Sequence, residues 1–357
     1  MVRSRSVGNA TNRTTLFSVQ RHEHLLTELR RSGAVRVSDL ARDLGVSELT
    51  IRRDIAALAA RNLVHRVHGG ATLPAATRPL PPRATRPATF TIGMVVPSLD
   101  FYWPPIVAGA RAAGAALGVN VQLRGSSYDP EEDRRQIARL VDAGQVQGLL
   151  LAPSLDGEDA DRMIGWITRL PVPTILVERQ PRRWTAAPRQ VEWVRSDHSL
   201  GLEIAVNHLY DQGHRRIGLV LSGGSPTSAY LLRGWHRACA DLGIPDEAVN
   251  PRHTVGSGLT ALIVHSDPQA IAVAQACAEQ GIRVPDDLAI VSYDDEVAHL
   301  ASPPLTAIRP SKNHVGRTAV ELMVSRLIDG DRRPVQGVLV APELVVRQSS
   351  LARRVRA

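Results

Sequence analysis

The chain has 357 residues, of which 43% are hydrophobic and 22% are charged, and its formal net charge is +8. This length predicts two or three folded units of ordinary globular composition. No apolar run approaches the roughly 18 to 20 residues of a membrane span, and the polar segment 1–17 lacks the apolar core of a secretory signal, so we expect a cytoplasmic protein.

The positive charge is concentrated in the first quarter of the chain. Residues 1–89 carry 15 Arg and 6 acidic residues, a net charge of +9, whereas the remainder carries 28 basic and 29 acidic residues. This asymmetry favours a polyanionic partner for the first quarter. The alternative is a solvated, arginine-rich tail. Because Lys312 is the one lysine of the chain, arginine richness by itself is weak evidence for phosphate binding.

Four segments differ in pattern. Residues 1–15 are predicted to be a disordered tail, and residues 16–73 combine helical periodicity with a short hairpin. Residues 74–89 contain five prolines and no helix or strand pattern, which predicts an extended linker. Residues 90–350 alternate short β-branched runs with amphipathic stretches, which is typical of a parallel α/β fold.

The first folded segment predicts three helices. The first covers about 18–31, the second begins after Ser38 and the third begins after Ser47, with both serines as N-caps. Each helix has one apolar face, formed by Leu25, Leu26 and Leu29, then Leu40, Ala41 and Leu44, then Ile51, Ile55 and Leu58. This is the spacing of a helix-turn-helix.

The third helix and the hairpin both carry basic side chains. Arg53, flanked by Thr50 and Arg52, lies opposite the apolar face of the third helix, where long donors can reach phosphates and guanine edges in a major groove. His65 and Arg66 lie on a predicted strand–glycine turn–strand wing. A small helical interaction module with a solvated basic face is the alternative.

The stretch VRVSDLARDLGVSELTIRRDIAALAARNLVHRVHGGA (35–71) resembles the DeoR-type winged helix-turn-helix, most specifically in TIRRD and the terminal HGGA. The resemblance covers about residues 20–73 and implies binding to operator DNA. The expected DNA-contacting residues are Ser38, Ser47, Thr50, Arg52, Arg53, His65 and Arg66.

The predicted α/β elements alternate along the second segment. The strands are 92–96, 119–123, 148–151, 174–177, 217–221, 262–264 and 288–291. The helices are 105–117, 131–143, 199–212, 268–280 and 312–328. Two similar βα halves are compatible with this order, although no sequence repeat is visible.

Several motifs of this segment resemble the sensor domain of the lac-repressor family, which is similar to periplasmic sugar-binding proteins. They are IGMVVPSLDFYWPPIVAGA (92–110), DPEEDRRQIARLVDAGQVQGLLLAPS (129–154), LYDQGHRRIGLV (209–220), LRGWHRACADLGIP (232–245), VPDDLAIVSYDDEVAHLASPPLTAIRP (284–310) and PELVVRQSS (342–350). The resemblance implies two lobes that close on a ligand. The first lobe would comprise about 90–193 and 311–338, and the second about 194–308 and 339–350, with crossings near 191–196, 305–309 and 339–341.

The resemblance also implies a set of cleft residues suited to a polyol. A carboxylate accepts from adjacent hydroxyls, an arginine donates to others, and an aromatic face covers the ring. The expected ligand-binding residues are Asp100, Tyr102, Trp103, Ser154, Arg179, Asp197, Trp235, Ser266, Asp267 and Asp294. The structural alternatives are core packing for Tyr102 and Trp103, a surface ion pair for Arg179, a solvated loop for Asp294, and helix N-caps for Asp197 and Asp267.

Four features depart from the family pattern. Leu231 occupies the place of a ligand-holding arginine, the segment 250–262 is short, Pro310 replaces a polar side chain, and the proline-rich 74–89 disfavours a hinge helix. The first three put standard monosaccharide recognition in doubt and leave a more apolar ligand or a weakened site open.

The two cysteines and the missing motifs limit other functions. Cys239 and Cys277 lie in apolar helical segments and indicate neither a disulfide framework nor CxxC spacing. No P-loop, GxGxxG or HExxH motif occurs, so we predict no metal, no cofactor and no catalytic residue. The sequence therefore predicts a ligand-responsive repressor of carbohydrate-related genes, acting as a homodimer on a pseudo-palindromic operator. The alternative is a DNA-binding head fused to an enzyme that acts on a sugar phosphate.

Overall fold

The computed structural model describes residues 18–32, 34–60, 63–67, 69–72, 90–100, 102–155, 159–181, 191–246 and 258–351. The chain divides into two compact units, 1–86 and 87–357, which we call the head and the sensor. The predicted tail 1–15 and linker 74–89 lie outside the described residues. None of the described helices has the length and apolar character that a membrane span requires.

The head contains three helices and a small antiparallel sheet. Its elements are α1 (Ser18–Ser32), β1 (Ala34–Arg36), α2 (Val37–Leu44), α3 (Glu48–Ala60), β2 (His65–Val67) and β3 (Gly70–Thr72). The strand order is β1-β3-β2, so the predicted two-stranded wing has a third strand that the sequence pattern missed. The apolar faces meet in one core: Leu25, Leu29, Val37, Leu40, Ala41, Ile51, Ile55, Leu58, Val64 and Ala71.

One of the two predicted N-caps is correct. The backbone amide of Thr50 donates to Ser47 Oγ over 3.2 Å, so Ser47 caps α3 as expected. The prediction for Ser38 was wrong, because α2 begins at Val37 and its N-cap is Arg36, without a side-chain hydrogen bond. Gly45 ends α2 with φ +64°, a conformation that glycine adopts without steric cost.

The sensor alternates strands and helices as the sequence predicts. Its strands are β4 (Phe90–Val96), β5 (Val119–Gly125), β6 (Gly148–Leu151), β7 (Thr174–Val177), β8 (Glu192–Ser196), β9 (Ile217–Val220), β10 (Ala261–Val264), β11 (Ala289–Tyr293), β12 (Thr306–Arg309), β13 (Gly337–Val340) and β14 (Glu343–Val345). Its helices are α4 (Trp103–Leu117), α5 (Pro130–Asp142), α6 (Ala160–Ile167), α7 (His198–Asp211), α8 (Ser228–Leu242), α9 (Asp267–Glu279) and α10 (Lys312–Asp329). Two of these helices, α6 and α8, are absent from the predicted set.

These strands form two sheets, one in each lobe. The first has the order β13-β8-β7-β6-β4-β5, and its described pairings are all parallel. The second has the order β14-β12-β11-β10-β9, with β14 antiparallel to β12. The chain changes lobes at 196–198, 309–312 and 340–343, because Ser196 and Val340 still pair within the first sheet. Each crossing lies one to a few residues later than the resemblance implied.

Apolar clusters cover both faces of each sheet and bury the central strands, whereas the edge strands β5, β13 and β14 are partly exposed. Helices α4 and α10 pack closely on the first sheet, and a Cβ at Gly316 would overlap the carbonyl oxygen of Ile106. Glycine is therefore required for this approach of the two helices. The carboxyl ends of the parallel strands in both lobes face the crossings, which is where open α/β sheets bind ligands.

Candidate functional site

A cavity of about 240 Å³ lies between the carboxyl ends of the two sheets. We call it the cleft. Its first-lobe wall is aromatic and charged, and consists of Tyr102, Trp103, Tyr128, Glu178 and Arg179. Its second-lobe wall combines hydroxyls, imidazoles and a carboxylate, and consists of His198, Ser222, Ser225, Pro226, Thr227, His265, Ser266 and Asp294.

The aromatic side chains of the first wall support one another. The rings of Tyr102 and Trp103 meet edge to face with centroids 5.9 Å apart. The indole of Trp103, at the start of α4, is buried and its Nε1 donates to the hydroxyl of Tyr128 over 3.2 Å. Tyr102 and Trp103 were both predicted cleft residues, and the alternative of core packing also applies to Trp103, which joins the first-lobe core.

Glu178 connects the first wall to the start of the second lobe. Its buried carboxylate accepts from the amide of Ser196 over 3.0 Å, from its hydroxyl over 2.7 Å, and from the hydroxyl of Tyr102 over 3.1 Å. His198 Nε2 lies 3.5 Å away. Burial favours protonation of the Glu178 carboxyl, but hydrogen bonds and charge from His198, with the bonds from Ser196, leave its pKa lowered. Glu178 is therefore an ionised group whose hydrogen bonds link Tyr102 of the first wall to Ser196 at the first crossing.

The guanidinium of Arg179 is buried and held in place. Its Nε donates to the carbonyl of Pro153 over 2.9 Å, and its Nη1 donates to the carbonyl of Glu178 over 2.8 Å. The guanidinium carbon lies 5.7 Å from the centroid of Trp103. Arg179 is thus a preorganised cation in the cleft wall, and the alternative of a surface ion pair does not apply.

Asp294 places a carboxylate in the second wall. Its backbone has φ +96°, and its carbonyl accepts from Lys312 Nζ over 2.7 Å. Burial raises the pKa of the Asp294 carboxyl to about 6, although the positive charges of Lys312 and His198 oppose the shift. Asp294 therefore occupies a strained, partly buried position in the cleft wall, and the alternative of a solvated loop does not apply.

His265 lies beside this carboxylate. Its Nε2 is 3.7 Å from Asp294 Oδ2, and burial, together with the charge of His198, lowers its pKa to about 4. Among the described residues, His265 Nδ1 has no hydrogen-bond partner. A neutral imidazole with an unused polar atom in the cleft wall is suited to bind a hydroxyl.

Five predicted ligand-binding residues lie elsewhere in the described sensor. Asp100 is exposed and accepts from Ser98 Oγ over 3.4 Å. The amide of Ser154 donates to the buried Asp133 over 2.8 Å. Trp235 is fully buried in the second-lobe core, where its Nε1 donates to Asp246 over 2.7 Å. The side chains of Asp100 and Trp235 and the backbone amide of Ser154 thus make local hydrogen bonds, and none of the three residues lines the cleft.

The N-cap alternative is correct for Asp197 and wrong for Asp267, because the N-cap of α9 is Ser266. Asp197 accepts from the amide of Leu200 over 3.2 Å and caps α7. Asp267 is buried and accepts three backbone amides of the loop after Asp294, those of Glu296, Val297 and Ala298, at 2.6 to 3.1 Å. It therefore holds the loop that carries Asp294.

Sequence reasoning missed several cleft residues, including Tyr128, Glu178, His198 and His265. Three of them directly follow or nearly follow a strand end, at β7, β8 and β10. Because the carboxyl ends of parallel strands meet at one edge, this position was the signal that could have found them.

Two of the positions that departed from the family pattern, Leu231 and Pro310, do not line the cleft. Leu231 is fully buried in the second-lobe core, and Pro310 is buried at the second crossing. Residues 250–257 of the short segment lie outside the described residues. The described polar lining of the cleft therefore comes from residues other than Leu231 and Pro310.

The head exposes the predicted recognition face of α3. Arg52 and Arg53 are both exposed, and Arg52 Nη2 lies 3.2 Å from Glu48 one turn earlier. Thr50 is half-buried and its hydroxyl is 2.8 Å from that of Ser47. The wing residues His65 and Arg66 and the helix residue Ser38 are exposed as well.

Asp54 explains how the opposite side of α3 is fixed. Its buried carboxylate is 2.9 Å from Arg21 Nε and 3.1 Å from His22 Nε2, both on α1. The acidic residue of the TIRRD motif thus fixes α3 against α1, while its two arginines face outward.

The chain matches two family models. Residues 21–77 match the DeoR-like helix-turn-helix domain, and residues 206–350 match the periplasmic binding protein-like domain. The two-part interpretation of the sequence is thereby confirmed at the level of the domains.

The relatives are transcription regulators rather than enzymes. The HTH-type transcriptional repressor PurR of Photobacterium profundum is 28% identical over 283 residues, which cover 73% of this chain and 81% of the repressor. The lac repressor dimer bound to operator and the anti-inducer ONPF has a TM-score of 0.63 and 26% identity, covering 74% of this chain and 94% of that one. A LacI family regulator from Enterococcus faecium with bound ribose has a TM-score of 0.59 and 21% identity, covering 72% and 98%.

Proposed function

We propose that this protein is a ligand-responsive transcription repressor that binds operator DNA through α3 and a small neutral sugar in the cleft. The observation that carries the proposal is the pairing of two sites in one chain. A DeoR-like helix-turn-helix exposes Arg52 and Arg53, and a periplasmic-binding-protein-like sensor encloses a polar cleft. The relatives with the same kind of sensor are repressors.

The DNA-binding part rests on charge and geometry. The excess positive charge of the chain lies in residues 1–89, and phosphates attract such a region without regard to sequence. The exposed guanidinium of Arg53 can enter a major groove and donate to guanine. We expect the exposed side chains of Arg66 and His65 on β2 to meet the phosphate backbone. A homodimer would present two such helices to a pseudo-palindromic site.

The ligand class rests on the size and charge of the cleft. A volume of about 240 Å³ suits a single sugar ring better than an oligosaccharide. Glu178 and Asp294 bring two carboxylates to the wall, whereas Arg179 already donates to two carbonyls. The carboxylates repel a phosphate, so a neutral sugar is favoured over a sugar phosphate.

The test uses the full-length protein and two binding assays. A pool of randomised DNA duplexes is selected on the protein, and the enriched duplex is measured at several salt concentrations. We expect affinity to fall steeply with salt, because phosphate contacts release counterions. Neutral pentoses and hexoses and their phosphates are then screened by thermal shift, where a neutral sugar should raise the melting temperature and weaken or strengthen DNA binding.

Two variants make this test specific. Arg53→Ala should weaken binding to the selected duplex and leave the sugar-induced thermal shift unchanged, and Asp294→Asn should do the reverse. Selection without any enriched sequence would contradict the regulator. A thermal shift with sugar phosphates alone would contradict the neutral ligand and support the alternative of an enzyme-like domain.

A further inference from the structure

The recognition face of α3 contains an exposed leucine that the fold does not use. Leu49, the second residue of the helix, has 59% of its surface exposed. By contrast, Leu25, Leu29, Leu40 and Leu58 of the same unit are buried in its core. Leu49 therefore contributes little to the stability of the head.

Helix geometry places Leu49 in the middle of the outward face. At 100° per residue, Leu49 lies about 160° from the buried Ile51 and about 40° from Arg53. Ala56 follows two turns later on the same stripe and is half-buried. The outward face of α3 is thus an apolar strip of Leu49 and Ala56 with Arg52 and Arg53 beside it.

The occupant of this strip has to be compatible with its charged surroundings. A base-pair edge in the major groove offers hydrogen-bonding groups to arginine and one apolar group, the 5-methyl of thymine. The positive charge of residues 1–89 favours DNA over a second apolar protein surface. We propose that Leu49 contacts a thymine methyl in each operator half-site and so selects a T·A pair there. The proposal rests on the proposed function, because it assumes that α3 enters the groove.

The experiment removes single methyl groups from the DNA and the matching contact from the protein. The duplex enriched by the full-length protein is synthesised with each thymine replaced in turn by uracil, which lacks the 5-methyl group. Burial of one methyl group corresponds to about fourfold in affinity. We expect about a fourfold loss for wild type at one thymine of each half-site, and no loss at that position for Leu49→Ala.

Leu300→Ala is the matched control, since Leu300 is 71% exposed but lies in the sensor. It should keep the full sensitivity to the uracil substitution. The inference is wrong if the uracil substitutions weaken binding equally for wild type and Leu49→Ala. It is also wrong if the half-sites of the enriched duplex contain no thymine. Both outcomes leave the proposed function standing. Failure to enrich any duplex overturns both. If Leu49→Ala alters the oligomeric state instead, Leu49 contacts a second protein chain and the inference is wrong.

Discussion

The outward face of α3 and the cleft of the sensor both combine arginine with apolar side chains, but they hold the arginine differently. Arg52 and Arg53 are exposed, and Arg52 is held by a single carboxylate. Arg179 is buried, lies near an indole and donates to two carbonyls. Exposed arginines suit a polyanion that approaches from solvent, because charge attraction to phosphates does not require donors oriented in advance. A small ligand enclosed between lobes requires groups that are already oriented, because ordering them on binding would cost affinity.

The largest expected effect concerns how much the cleft wall contributes to the free energy of unfolding of the sensor. Glu178→Ala removes a buried carboxylate that accepts from Tyr102 and Ser196 and faces His198. We expect the free energy of unfolding of the sensor to fall by about 3 kcal/mol, because buried partners lose their acceptor. Urea denaturation measures this loss.

The exposed Glu131 on α5 provides the matched control. Glu131→Ala should change the free energy of unfolding by less than about 0.5 kcal/mol. Equal denaturation midpoints for the two variants would show that the Glu178 network does not stabilise the first crossing.

The next effect compares a ligand contact with a structural one. Asp294→Ala removes the carboxylate expected to accept from the sugar, and we expect affinity to fall by roughly 2 kcal/mol, or about thirtyfold. Asp100→Ala changes an exposed aspartate outside the cleft and should leave affinity unchanged. Isothermal titration with the neutral sugar found by thermal shift distinguishes them, and equal losses would place the ligand elsewhere.

On α3, the two arginines should differ. Arg53→Ala is expected to weaken binding to the selected duplex by about 2 kcal/mol, within the range for a base-reading arginine. Arg52→Ala should cost about half as much, because Arg52 gives up its pair with Glu48 before it binds DNA. Fluorescence anisotropy at fixed salt measures both, and a larger loss for Arg52→Ala would reverse their roles.

The smallest expected effect is a pH dependence of sugar binding. The pKa of Asp294 is raised to about 6, while His265, with a pKa of about 4, stays neutral above pH 5. Lys312, His198, Asp267 and Glu296 also face this carboxyl. If the sugar requires the carboxylate, affinity should fall about fourfold from pH 7 to pH 5.5 as Asp294 is protonated.

The raised pKa of Asp294 affects folding in the opposite direction: lowering the pH weakens sugar binding but stabilises the folded state. Because the folded pKa of Asp294 exceeds its ordinary value of 3.8, its carboxyl destabilises the folded state above pH 6, and this penalty disappears as the pH falls towards 4. Asp294→Asn should abolish the pH dependence of the remaining sugar affinity. A persistent fourfold change in Asp294→Asn would assign the titration to another group.

The sequence by itself determined most of the elements and which side of α3 is exposed. The spacing of apolar residues predicted α3 and its buried stripe. Because a helix has 3.6 residues per turn, that stripe also determines that Arg53 faces outward. Ser47 was identified as a cap because capping involves residues close in the chain. Seven of the eleven described strands of the sensor were likewise predicted from local runs of β-branched residues, whereas β8, β12, β13 and β14 were missed.

Only the tertiary structure decided which polar residues meet in the cleft. Asp100 and Ser154 follow first-lobe strands as Glu178 does, yet Glu178 alone of these lines the cavity. The choice depends on the register of distant strands and on lobe crossings, which bring Glu178 to Ser196 and His265 to Asp294. Local sequence patterns carry little information on such contacts, because the side chains that select one partner over another lie far apart along the chain.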